Sequence, residues 1–291
     1  MQVIQLGFNL ARKYFGITFI FFATILIGFV YYTYFATILP ETAPNNPILL
    51  IISILFALWI MWAIGVTFFK SCYVGPGHPP SGLISREELQ ELRENPNYDS
   101  QFRYCKKCHY AKPERTHHDA ITNTCILKMD HYCPWINNCV GYYNHKFFLQ
   151  FLFYLCVGCL YACILTYPAY HAESGYSATS SSNETLEFIF ILCVTIFIAV
   201  GFLVSWHFYL VFTNQTSIEF YENRYYKKVA QERGEVYYNV YDLGYKKNFE
   251  QFFGTEGHHW ISFLWNFDIP KGDGVHFPKI DNYFKNQINL V

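Results

Sequence analysis

Charge is what this sequence has least of. Only 15% of its 291 residues are charged, against 52% hydrophobic and 21% aromatic; soluble chains carry about 25% charged residues. The shortfall speaks against an ordinary soluble domain. A net charge of −1 speaks against a broadly basic surface, so no nucleic-acid partner is expected. Positive charge is missing from whole stretches. Two Lys or Arg residues lie near the N-terminus, ten in 70–146 and nine in 213–291, with none in 40–47 or 171–187. Cysteine is absent from those same two stretches although the chain has ten. That placement disfavours a secreted disulfide framework and leaves metal binding or catalysis as the use for the cysteines elsewhere.

What the chain does have is long apolar runs. Four windows, 16–39, 48–69, 147–170 and 188–212, are each long enough to cross a bilayer, and Ile48 to Phe69 holds no ionisable residue. About 20 helical residues at 1.5 Å rise cover a hydrocarbon core of about 30 Å. The lysines and arginines orient the spans: by the positive-inside rule both termini and the segment between spans two and three face the cytosol. The stretch 171–187, with the sequon Asn183-Glu184-Thr185, then lies on the other side. The first span starts too late and runs too long for a cleaved signal peptide. The expected fold is an α-helical polytopic membrane protein, with four transmembrane helices and a cytosolic cysteine-rich zinc-binding domain between helices two and three. The expected domains are 1–70 (N-terminal segment and first two spans), 71–146 (catalytic), 147–212 (last two spans) and 213–291 (cytosolic C-terminal region).

Six cysteines (72, 105, 108, 125, 133 and 139) fall in that central cytosolic segment, where a reducing compartment keeps thiols free or metal-bound. Cys105 and Cys108 form a C-x-x-C knuckle whose spacing suits one tetrahedral zinc, with His118 and Cys125 available to close a Cys3His site. A metal would supply stability that a short polar segment cannot draw from its own core. The other reading of the knuckle is a redox pair or accidental spacing. Asp130-His131-Tyr132-Cys133 places a thiol, a base and a carboxylate within four residues, the parts of an activated nucleophile. Spacing alone leaves a second reading open, in which His131 and Cys133 are further zinc ligands.

The block from Cys105 to Phe148 resembles the cysteine-rich domain of DHHC protein S-acyltransferases (palmitoyltransferases), in a DHYC form. The resemblance rests on Cys105-x2-Cys108, Lys112-Pro-Glu-Arg115, His117-His118, Cys125, Lys128-Met-Asp-His-Tyr-Cys133, Pro134-Trp135, Asn137-Asn-Cys139-Val-Gly141, Asn144 and Phe147-Phe148. Thr216-Ser-Ile-Glu219 is similar to the family's TTxE motif. Asn239 to Gly244, with Asn248 and Phe252-Phe253-Gly254, is similar to its C-terminal motif, and Gly75-Pro-Gly77 to its DPG element without the Asp.

The resemblance implies that Cys133 accepts a fatty acyl group from palmitoyl-CoA, the co-substrate, as a thioester and passes it to cysteines near the membrane in cytosol-facing proteins. His131 is then the base and Asp130 its orienter, while Cys105, Cys108, His118 and Cys125 hold a structural Zn2+. The family's second zinc site falls here on Asp119, Thr122, Tyr132 and Cys139. Three of these four depart from the family pattern, so one zinc per chain is expected and the second site is degenerate. The competing reading is a catalytically inactive membrane adaptor of the same family. The C-terminal region most resembles an endoplasmic-reticulum branch, which favours that compartment over the Golgi.

Overall fold

The computed structural model describes residues 2–42, 45–80, 103–171 and 180–280. The chain divides into two compact units. The first comprises Met1–Cys72, Pro134–Asn137 and Phe148–Trp206; the second comprises Tyr73–Cys133, Asn138–Phe147 and His207–Val291.

Four helices are long and apolar enough to cross a membrane: Gly16–Thr42, Pro47–Tyr73, His145–Tyr167 and Glu184–Phe212. They cover the four expected spans and run past several of their ends, because a helix does not stop where the hydrocarbon does. The stretch 171–187 is the clearest case. It is expected as a loop, but helix starts again at Ser180 and carries the sequon; residues 172–179 lie outside the described residues. We label the long helices α1 (Gln2–Thr33), α2 (Pro47–Tyr73), α3 (His145–His171) and α4 (Ser180–Phe212). A π-helical turn, Tyr34–Ile38, follows α1.

In the first unit a lining of side chains with apolar surface on nearly every side leaves few polar atoms to satisfy. The hydroxyls of Tyr34, Ser53 and Tyr161 meet one another, which gives each a partner where water is scarce. Residues Pro134–Asn137 also pack in this unit. The Trp135 ring meets Phe19 edge-on at 4.7 Å, and a Cβ added to Gly16 would lie 1.9 Å from Asn137 Oδ1 and 2.8 Å from its Cβ. Gly16→Ala therefore forces Asn137 out of place. The expected cost is about 1–3 kcal/mol, read as a lower melting temperature of the purified protein. A variant as stable as the parent would show that helix and turn do not touch.

The second unit is built around three antiparallel hairpins: β1 (Arg103–Cys105) with β2 (Tyr110–Lys112), β3 (His117–Asp119) with β4 (Thr124–Ile126), and β5 (His131–Cys133) with β6 (Asn138–Val140). Each loop has four residues and ends on a left-handed residue, His109 (φ 60°), Asn123 (φ 58°) or Asn137 (φ 48°). The hairpins recur every fourteen positions, so that Cys105, Asp119 and Cys133 occupy equivalent strand ends. Two more helices, α5 (Ser217–Glu232) and α6 (Tyr245–Phe253), follow α4. The Gly75-Pro-Gly77 element ties in beside the hairpins: Gly77 O accepts from Leu127 N at 3.0 Å and Pro76 O from Tyr143 N at 3.2 Å. Gly77 sits at φ 101° with the Tyr143 ring 2.9 Å from where a Cβ would be, a position only glycine fills without strain.

Candidate active site

The first two hairpins bring four ligands together. Cys105 ends β1 and Cys108 lies in the loop after it, while His118 and Cys125 face each other as register partners across β3 and β4. His118 Nδ1 lies 3.6 Å from Cys105 Sγ, 3.2 Å from Cys108 Sγ and 3.9 Å from Cys125 Sγ, and the last two sulfurs are 3.7 Å apart. Sulfurs bound at about 2.3 Å to one tetrahedral zinc lie about 3.8 Å apart. All four cysteines and histidines therefore fit a single closed Cys3His site, and none of the thiols is in a disulfide.

The third hairpin holds the thiol. Side chains alternate along a strand, so positions two apart share a face. His131 and Cys133 thus lie on one face of β5, and Tyr132 points to the other, opposite its register partner Cys139. On that far face Tyr132 packs with Ile126, Met129, Cys139 and Ile218. On the near face, His131 Nδ1 lies 2.7 Å from Asp130 Oδ2, and Cys133 stands two positions on along the same face. Cys133 is buried, and the chain leaves it directly into Pro134–Asn137, which packs with the membrane helices of the first unit.

The electrostatics bias this line toward charge separation. Burial disfavours imidazolium at His131, but its hydrogen bonds to Asp130 and Cys133 outweigh that and hold its pKa at about 9. Burial likewise works against the Asp130 carboxylate; the imidazoles of His145 and hydrogen-bonded His131 prevail and keep it well below the usual carboxylate range. An imidazole biased toward its charged form can stabilise a thiolate beside it.

Five further residues complete the site: Ser217, Glu219, Arg115, His145 and His207. Ser217, the first residue of α5, donates from its backbone N to Asp130 Oδ1 at 2.8 Å and from Oγ to Oδ2 at 3.0 Å. Its position is set by a capping box: Thr216 accepts from Glu219 N, and Glu219 Oε2 accepts from Thr216 N. Glu219 is in turn held by Arg115, whose Nε and Nη2 donate to its two carboxylate oxygens at 2.7 Å each. Arg115 also donates to Asn214 Oδ1 and O, and its guanidinium lies over the rings of Tyr241 and Phe277 at 4.3 and 4.9 Å. Burial raises the Glu219 carboxyl's pKa, and the Arg115 charge and hydrogen bonds more than reverse it. His145 and His207, from the ends of α3 and α4, lie beside Asp130. The signal for the Arg115–Glu219 pair was two short motifs, each polar and each flanked by a buried element.

The degenerate metal positions are each fourteen residues beyond the first site's ligands (105 to 119, 108 to 122, 118 to 132, 125 to 139). Asp119 spends its carboxylate on the turn, accepting from Ile121 N at 3.1 Å and Thr122 N at 2.7 Å. The Cys139 thiol, pushed up by burial and then by the charges of Asp119 and Asp130, donates to His131 O at 3.3 Å. Hydrogen bonds and apolar packing occupy the place where the first site gathers ligands.

Residues 99–224 match the family model described as DHHC palmitoyltransferase. Among curated proteins, the chain is 30% identical over 286 residues to Palmitoyltransferase ZDHHC2 of Danio rerio, covering 89% of this chain and 75% of that one. It is 31% identical over 280 residues to Palmitoyltransferase ZDHHC16 of Mus musculus, covering 90% and 74%. Against Palmitoyltransferase PFA3 of Debaryomyces hansenii it is 36% identical over 198 residues, 63% and 47% of the two chains.

Proposed function

This chain belongs to the DHHC palmitoyltransferase family, a multi-pass membrane enzyme that transfers fatty acyl groups to proteins, and on that premise we propose that Cys133 is its nucleophile, with His131 as base and Asp130 as the group that orients the base. The observation that carries this is the 2.7 Å contact between Asp130 and His131, with His131 and Cys133 on one face of β5. His131 takes the thiol proton, and the Cys133 sulfur attacks the thioester carbonyl of an acyl-CoA. The tetrahedral intermediate collapses by breaking the bond to the CoA sulfur, which leaves with the proton from His131. The acyl group now sits on Cys133 as a thioester. His131 then deprotonates a cysteine of the protein substrate, whose sulfur attacks the acyl carbonyl and expels the Cys133 thiolate, and the proton on His131 restores the thiol. No oxidant or metal takes part in either half.

Cys133→Ser tests this. Purified wild type incubated with labelled palmitoyl-CoA gains a hydroxylamine-sensitive label, and the variant gains none. A wild type that folds but takes no label would favour the inactive adaptor.

Cys105, Cys108, His118 and Cys125 would hold one zinc, which when bound crosslinks the first two hairpins and supplies folding energy. The expected count after dialysis against a mild chelator is one zinc per chain. Cys108→Ser should abolish it and leave the second unit unfolded; a count of two would show that Asp119 and Cys139 still hold a metal. The domain boundaries 71–146 and 213–291 fit this division of labour, although residues 81–102 and 281–291 lie outside the described residues. The distribution of Lys and Arg supports cytosolic termini. The resemblance of the C-terminal region supports residence in the endoplasmic reticulum rather than the Golgi.

A further inference from the structure

Two histidines at the ends of membrane helices have no role in the reaction above. Ionisable side chains in such helices are rare and mark functional sites by default. His145 opens α3 and His207 lies near the end of α4; they are 4% and 3% exposed. His145 Nε2 lies 3.2 Å from His207 Nδ1, and the His207 ring sits 5.9 Å from that of His131. One ligand atom from each of Asp130, His145 and His207 falls within 4.8 Å of the others.

A hydrogen bond between the two imidazoles accounts for the 3.2 Å contact but not for the rest of His145. Its Nδ1 is buried and has no partner, and either tautomer of the pair leaves that nitrogen unused. His145 borders a cavity of about 10 Å³, shared with Lys128 and Asn214, with room for about one water to meet Nδ1; the nitrogen that faces His207, and would face an ion, is Nε2. The donor set also suits a metal. Two nitrogens at about 2.0–2.1 Å from a tetrahedral zinc lie about 3.3 Å apart, and two imidazoles with one carboxylate suit first-row transition ions. Asp130 accepts three hydrogen bonds, from Ser217 N, Ser217 Oγ and His131, so one of its roughly four lone-pair sites remains.

We propose that Asp130, His145 and His207 form a second metal site, which takes a divalent transition ion of the zinc class and, when filled, stops acyl-enzyme formation. An ion on Asp130 draws on the same carboxylate that holds His131 Nδ1 at 2.7 Å, so a bound ion loosens the contact that orients that imidazole. Lys128 lines the same cavity as His145; burial lowers its pKa to about 7, and its charged form opposes a bound cation. The site therefore fills only when metal is added, and it does not raise the one-zinc count of the dialysed protein. The effect on turnover rests on the role assigned to Asp130 above; the binding does not.

The binding is measured without turnover. Full-length Cys133→Ser protein, its Cys3His site filled with zinc, is titrated with Co2+. The expected result is one added equivalent whose visible bands lack intense thiolate-to-cobalt charge transfer. Adding His145→Phe should weaken that binding at least about tenfold, since loss of even a second-shell partner costs about 10–100-fold. If that variant aggregates, His207→Phe takes its place. Wild-type acyl-enzyme formation should fall as Zn2+ is added and return with chelator, and the inhibition curve of His145→Gln, scaled to its own activity, should shift by a similar factor. No added equivalent, or one that survives loss of either histidine, would overturn the site. Cobalt binding with no inhibition by zinc would overturn its effect on the reaction and leave Cys133 chemistry untouched.

Discussion

Asp130→Asn slows acyl-enzyme formation by about 10²–10⁴-fold at pH 7 and moves the rise of activity to higher pH. The neutral amide still accepts from Ser217 N, so the start of α5 stays in place and the fold survives. What disappears is the charge that outweighs burial at His131 and holds its pKa at about 9. Without it the His131 pKa falls from about 9, and the imidazole becomes a poorer acceptor of the thiol proton. Deprotonation of the thiol then draws on hydroxide rather than on the imidazole, so activity rises with pH. Rates of single-turnover labelling across pH 6–9.5 decide the matter. The wild type should change little near neutrality while the variant climbs. A variant lowered equally at every pH would mean that Asp130 only holds the hairpin together.

Stability carries the same signature with a defined window. The folded-state pKa of His131 lies above its unfolded value, so its contribution is complete below about pH 6.5 and is lost as pH rises through about 9. The folded-state pKa of Asp130 lies below its unfolded value. Its contribution is present above about pH 4 and fades as pH falls further. The difference in melting temperature between wild type and Asp130→Asn should therefore be widest in the range between these limits and shrink on both sides.

The parts of this molecule that were legible in sequence are those governed by local rules. A bilayer demands about 20 apolar residues whatever surrounds them, so the four spans stand out, and only their ends shift by a few residues. Asp130, His131 and Cys133 are legible because they are contiguous. Strand alternation then explains why Tyr132 is tolerated. Its side chain is on the opposite face of β5 from His131 and Cys133, packed with Ile126, Met129 and Cys139. The hairpins themselves were not visible as strands, since three-residue strands give no alternation to read. Their trace is the fourteen-residue spacing from Cys105 to Asp119 to Cys133, which only the shared loop length makes meaningful. Ser217 lies inside the Thr216–Glu219 motif, but its partner was not legible, because it meets Asp130 across 87 residues; His145 and His207 belong to no motif read from the sequence. A lone serine or histidine carries no local pattern that names its partner.

Breaking the Arg115–Glu219 pair should be the costliest single change for stability. Both side chains are buried, at 1% and 10% exposure, so removing one leaves the other charged, desolvated and alone. Arg115→Met is expected to cost about 3–5 kcal/mol, seen as a large drop in the unfolding midpoint of the purified protein. Glu219→Gln keeps the capping box, because glutamine can still accept from Thr216 N, but it strands the guanidinium at a similar cost. The double variant Arg115→Met/Glu219→Gln should be less damaged than the sum of the two by about 0.5–3 kcal/mol, since neither charge is then left behind. Strict additivity would show that the pair is not coupled. The single variant also reaches the chemistry. Glu219 fixes the first turn of α5, and Ser217 in that turn supplies two of the hydrogen bonds that hold Asp130. Arg115→Met should thus reproduce, in weaker form, the shift in pH dependence expected of Asp130→Asn, although Glu219, the first turn of α5 and Asp130 stand between its side chain and His131. A purely structural Arg115 would lower the yield of folded enzyme and leave the pH profile of what remains unchanged.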